Sequence, residues 1–224
     1  MVSLSALVLL LASCHREQIA ETKAVPVEPT ASTAAPATAA RVATAATHKP
    51  VEIRRADGTP FLTVTDRDGT TQIAFTENGQ QHVLTGESRD TGKRKYHIDS
   101  GAVLFEIKPG DGDGFKLRTP DGALRWKVKI TAEKVKISDN NENDRPFELK
   151  LREAGRVKVV APVDRELGNV RVSGAKIEVE NAGGTKLYTI DGATSEAAYG
   201  VLLLDEIDPV QRYILLAELL SRGK

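Results

Sequence analysis

Ser195–Leu220 reads SEAAYGVLLLDEIDPVQRYILLAELL, and the rest of the chain is organised around it. Its first part, Ala197–Leu204, is apolar around the whole helical circumference, which requires enclosure by lipid or by protein. Asp205, Glu206, Asp208 and Arg212 interrupt the run well short of the ~20 largely uncharged residues that a bilayer span takes. The stretch is therefore expected to be a helix wrapped by protein. Thr194 or Ser195 can cap it, and Asp208-Pro209 supplies an N-cap and an N1 proline for a second helix. In that second helix Val210, Tyr213, Ile214, Ala217 and Leu220 share one face, while Gln211, Glu218 and Arg222 lie elsewhere. It is expected to be amphipathic and to lie on the domain.

The wrapping has to come from upstream. From Val51 the texture is short alternating strands, read at 51–56, 60–66, 71–77, 81–86, 93–99, 102–108, 114–119, 124–131, 134–139, 146–153, 156–162, 166–173, 176–181 and 185–190. Turn pairs such as Asp57-Gly58, Asp68-Gly69, Asn78-Gly79, Asp121-Gly122 and Gly183-Gly184 separate them. Closely spaced strands with no intervening helix make an antiparallel meander. A repeat supports this: Phe115–Asn140 aligns without gaps onto Val157–Ala182, with Pro120 on Pro162, Val128 on Val170 and Lys134 on Lys176. Two meanders obeying the same alternation would give a similar match. The expected fold class is mainly β: an antiparallel up-and-down barrel of about 12 strands enclosing a hydrophobic C-terminal helix, with a second short C-terminal helix, over residues 51–224.

Phe115–Lys129 (FKLRTPDGALRWKVK), Lys134–Asp139 (KVKISD) and Ala198–Ile207 (AYGVLLLDEI), in this order, make residues 55–207 resemble the tubby-like barrel superfamily. That group includes the LURP-one-related proteins and the phospholipid scramblases. The resemblance implies a closed barrel of about a dozen strands around one central hydrophobic helix, which also removes the edge-strand problem. Two features depart from it. The acidic calcium-binding segment of scramblases has no counterpart in TKLYTIDGATSE before the apolar helix, and a second helix follows.

The chain opens MVSLSALVLLLASC, where Leu4–Ala12 has the length of a signal-peptide apolar region. Leu11-Ala12-Ser13-Cys14 resembles the lipobox of bacterial lipoproteins, which implies cleavage after residue 13 and lipid on Cys14. No Lys or Arg precedes the apolar run, a departure from the signal-peptide pattern. His15 rather than Asp after the cysteine points, by the sorting pattern of that family, to the outer membrane of a bacterial cell envelope. Residues 14–50 are expected to be a tether. From Ala24 to Thr47, 18 of 24 residues are Ala, Thr or Pro, too few hydrophobic groups to offset chain entropy. About 36 such residues span roughly 35 Å as a coil.

Composition narrows the function. With 31 basic and 31 acidic residues the chain is not a generally basic nucleic-acid binder, and its few aromatics offer no stacking platform. A single cysteine rules out internal disulfides and CxxC chemistry. The candidate ligand-binding residues are Arg125, Lys127, Lys129, Lys134 and Lys136, extended by Lys116 and Arg118. On 124–131 the cations alternate with Trp126, Val128 and Ile130, so they share the outer face and leave Trp126 in the core. A tight turn near Ala132-Glu133 sets Ile130 against Val135 inside and Lys129 against Lys136 outside. Like charges directly opposite are destabilising, so stability alone does not select them. Anionic lipid headgroups, lipopolysaccharide or another acidic polymer would suit such a face. A solvated face kept soluble by lysines is the plain alternative.

Two acidic loops, Asp111–Gly114 and Asp139–Asp144, carry oxygens, but the second lacks the glycine and glutamate of an EF-hand loop, and no metal or other cofactor is expected. His82 and His97 read as isolated, with no HExxH, GxSxG or phosphate-binding loop. The expected function is a non-enzymatic envelope lipoprotein, held to the membrane by acyl chains on Cys14 and binding lipid or an acidic polysaccharide through the basic hairpin. A scaffold subunit docking a protein partner on the second helix is the alternative, and a hydrolase assembled from distant residues comes last.

Overall fold

A computed structural model describes residues 49–224 except Asp90, Thr91, Ser100, Ala193, Ser195 and the side chain of Ala154. Cys14, the signal-peptide reading of residues 1–13 and nearly all of the expected tether lie outside the described residues, as does the capping role of Ser195.

The alternating pattern yields fourteen strands. In the first half these are β1 Val51–Arg55, β2 Pro60–Arg67, β3 Thr70–Glu77, β4 Gln80–Ser88, β5 Arg94–Ile98, β6 Val103–Pro109 and β7 Phe115–Arg118. The second half adds β8 Leu124–Ile130, β9 Lys134–Ser138, β10 Phe147–Leu151, β11 Val157–Ala161, β12 Arg165–Ser173, β13 Lys176–Asn181 and β14 Lys186–Asp191. Each pairs antiparallel with its sequence neighbour, and β1 pairs with β14 to close the barrel. The count exceeds the dozen expected, because every alternating segment takes part in the wall. β3 illustrates the logic: Thr71, Ile73 and Phe75 are buried, while Gln72 and Thr76 face water. At Asp68-Gly69 and Asn78-Gly79 both residues of each pair have positive φ, the geometry that a two-residue hairpin needs.

The sequence repeat is a repeat of register. Phe115 faces Val128 as Val157 faces Val170, and Ile130 faces Val135 as Val172 faces Ile177. On the outer face Lys129 opposes Lys136 where Arg171 opposes Glu178.

A barrel of about eight strands is just filled by its own side chains, so fourteen leave room for more. Two segments supply the filling. Ala197–Leu203 is helical and wholly buried as expected, but as a 3-10 helix packed against β10–β13. Gly200 allows that approach, since a Cβ there would lie 2.9 Å from Val159 Cγ2 and 3.1 Å from Leu149 Cδ2. Its N-cap is Glu196, with no side-chain cap, rather than Thr194. The second helix, α1 Pro209–Leu220, begins as expected: Asp208 accepts from the amides of Val210 and Gln211, and Pro209 takes the first turn.

Its expected position on the outside of the domain is corrected. Tyr213–Leu219 are all buried, and α1 packs on the 3-10 helix and touches β2, β3, β5 and β8 from within. The polar residues that marked a water-facing side find partners indoors. Gln211 accepts from Trp126 Nε1 at 2.7 Å. The Glu218 carboxylate accepts from Tyr96 Oη at 2.8 Å, Arg94 Nη1 at 2.9 Å and Arg222, whose guanidinium lies over the Phe115 ring. Burial works against the Arg94 charge, and Glu218 opposite holds it in place. The Tyr213–Leu219 stretch of α1 is spent on the barrel interior.

Candidate functional site

Hydrogen-bond registry turns alternation along each strand into rows across strands. One outward row runs Lys108 on β6, Lys116 on β7 and Lys127 on β8. Arg118 lies beside this row on β7, and Lys129 follows two residues beyond Lys127 on β8. With Asp111 these five cations line a groove of about 390 Å³, floored by Phe115 and Val128. The β6–β7 turn closes one end. It sits on the β8 backbone because Gly114 has no side chain: a Cβ there would lie 2.6 Å from the Val128 carbonyl oxygen.

Among the described residues none of the five groove cations forms an ion pair with a carboxylate. Lys116 donates to Asn141 Oδ1 at 3.2 Å, Lys127 to the Asn141 carbonyl, and Arg118 to the Gly122 carbonyl at 2.5 Å. Neutral acceptors position these cations without cancelling their charge. The groove can therefore hold an anionic group by charge and by N–H donation.

The other candidates sit differently. The expected facing of Lys129 and Lys136 is present. Beyond it, Glu148 on β10 gathers Lys150 at 2.8 Å, Lys134 at 3.0 Å and Lys136 at 3.6 Å. Partial burial alone would raise this carboxyl, but the hydrogen bonds and charges of Lys150 and Lys134 win and bring it down to about 2. Lys134 and Lys136 are thus tied down, whereas the groove lysines are not. Arg125 is the extra residue at the irregularity between β7 and β8, where Leu117 pairs with Trp126 and Arg118 with Leu124. It is exposed and outside the groove. Trp126 is half-buried against Phe147.

Sequence reasoning missed Lys108 and Glu148. Extending the Lys116–Lys127 row to β6 would have found Lys108, and extending the Lys129–Lys136 row to β10 would have found Glu148. It also read His82 as isolated. His82 Nδ1 lies 2.9 Å from Asp99 Oδ2, and Asp99 Oδ1 accepts from the Val83 amide, so the pair joins β4 to the turn after β5. In the Asp139–Asp144 loop the oxygens serve the loop itself: Asn140 bridges Asp139 and Asp144, and Asn143 accepts from Ser138. In the other loop Asp113 meets Lys224 at 3.4 Å. Among the described residues no group of three or more His, Cys, Asp or Glu side chains converges on a metal position. No protein-family model, curated protein or solved structure matches this chain.

Proposed function

We propose that this chain is a lipid-anchored protein of the bacterial envelope, of the tubby-like barrel kind. It is not an enzyme: its barrel binds a polyanionic surface, that of anionic lipid headgroups or of an acidic envelope polysaccharide. The anchor rests on the lipobox-like Leu11–Cys14. The observation that carries the binding role is the groove of Lys108, Lys116, Arg118, Lys127 and Lys129, with no carboxylate paired to any of them among the described residues. Elsewhere on the barrel several outward cations pair with carboxylates, as Lys95 with Glu106, Lys158 with Glu166 and Arg171 with Glu180. A face kept basic only for solubility has no need of a groove in which Lys116, Arg118 and Lys127 are held by neutral acceptors.

Each lysine near an anionic surface contributes about 1 kcal/mol, so four or five together give binding that weakens as salt rises. The test is co-flotation of the full chain carrying Cys14→Ser, which has no acyl group, on neutral and anionic vesicles at low and physiological salt. Binding that requires anionic lipid and weakens with salt supports the proposal. Equal flotation with neutral vesicles, or none with anionic vesicles and none with acidic polysaccharide, overturns it.

A further inference from the structure

A second cleft opens at the barrel end where β1 begins and β2 finishes. It measures about 360 Å³, within the ~300–1,000 Å³ range of small-molecule sites. Val51, Val64 and Leu220 give it apolar walls. Two polar side chains line it: the half-buried Glu196 carboxylate, and the hydroxyl of Tyr199, a residue only 4% exposed. Neither makes a side-chain hydrogen bond or ion pair among the described residues, and neither polar group is sealed from solvent, so both open to the cleft. Asp66 adds a second carboxylate, and Lys49 at the rim is the one cation among the described lining residues.

We propose that this cleft binds a small amphiphilic ammonium ion. Its alkyl body lies against Val51, Val64 and Leu220, and its N–H groups donate to the Glu196 carboxylate and the Tyr199 hydroxyl oxygen. The chemistry selects this class over its neighbours. An anion would meet two carboxylates and one exposed lysine. A neutral alcohol could satisfy one acceptor but would leave the Glu196 charge uncompensated in apolar surroundings. Burial pushes the Glu196 carboxyl up. Burial, together with the Glu196 charge, pushes Tyr199 up to about 12. The inference rests on nothing in the basic groove, which has the opposite charge and lies on the outer wall.

The test is a titration of the full Cys14→Ser chain with n-hexylammonium, n-hexanol and n-hexanoate, followed by amide NMR. Hexylammonium is expected to shift the amides around Val51, Val64, Tyr199 and Leu220 saturably, with a Kd of about 1 mM. Glu196→Gln is expected to weaken it at least about fivefold and Tyr199→Phe about twofold, while thermal unfolding stays that of the parent. Lys127→Glu with Lys129→Glu is expected to leave it unchanged. Hexanol binding as tightly as hexylammonium, an unaltered Kd in both Glu196→Gln and Tyr199→Phe, or no saturable shift up to about 50 mM would overturn the proposal.

Discussion

The hairpins β8–β9 and β12–β13 occupy equivalent places in the repeat and share one register, yet their outer faces carry opposite solutions. In the second, Arg171 faces Glu178 and reaches Glu180 at 2.6 Å, so the outward charges cancel. In the first, Lys129 faces Lys136 at the same place. The barrel evidently folds with either arrangement, so neither register nor closure demands facing lysines. Where the fold leaves the choice open, a costlier choice points to another demand on the residue. Within the first hairpin the cost is confined. Glu148 takes up Lys134, Lys136 and Lys150 on one side, and the groove side keeps its charge.

The sharpest way to break this comparison is to reverse charge on each half of the repeat in turn. Lys116→Glu, Lys127→Glu and Lys129→Glu together are expected to lower affinity for anionic vesicles about 100-fold, from roughly 1 kcal/mol per lysine. Reversing Lys158 and Lys176, the repeat counterparts of Lys116 and Lys134, is expected to change it less than about threefold. Equal losses in the two, read by vesicle titration, would erase the distinction.

Glu148→Gln should make the confined side behave like the groove. Freed Lys134, Lys136 and Lys150 are expected to raise vesicle affinity several-fold. Stability falls by about 1–2 kcal/mol, between the values for exposed and buried pairs, as measured by urea unfolding.

The same carboxyl fixes a pH window. Its folded value is about 2 against an ordinary 4.5, so its contribution is complete above pH 4.5 and is lost as pH falls toward 2. The stability gap between the parent and Glu148→Gln is therefore expected to be constant from pH 7 to about 5 and to close toward pH 2. A gap that persists at pH 2 would mean that the charge of Glu148 is not what holds the lysines.

The smallest effect is the most diagnostic of cost. Lys129→Glu alone gives the first hairpin an opposite-charge pair with Lys136, as in the second. It is expected to stabilise the barrel by about 0.2–1 kcal/mol in urea unfolding while weakening vesicle binding.

Much of this architecture is legible in the chain because it is local. Period-two alternation marks the strands from Val51 to Asp191, Asn-Gly or Asp-Gly turns separate several of them, and Asp208-Pro209 marks the start of α1. The place of α1 was not legible, because Gln211 and Glu218 look like a water-facing side until Trp126, Arg94 and Tyr96 are brought to them from 85 to 124 residues away. The site was half legible for the same reason. Lysines on one strand declare a common face, but Lys108 and Glu148 enter only through neighbouring strands whose registers are set by folding. The cleft beside Glu196 left no sequence signal, since it joins β1, β2 and both C-terminal helices.

The most direct test of the central claim is lysine acetylation of the Cys14→Ser chain with and without anionic vesicles, read residue by residue by mass spectrometry. Protection at Lys108, Lys116, Lys127 and Lys129, with Lys134, Lys136 and Lys150 unchanged by the vesicles, is the predicted result. Equal protection of both sets, or none at the groove lysines, would contradict it.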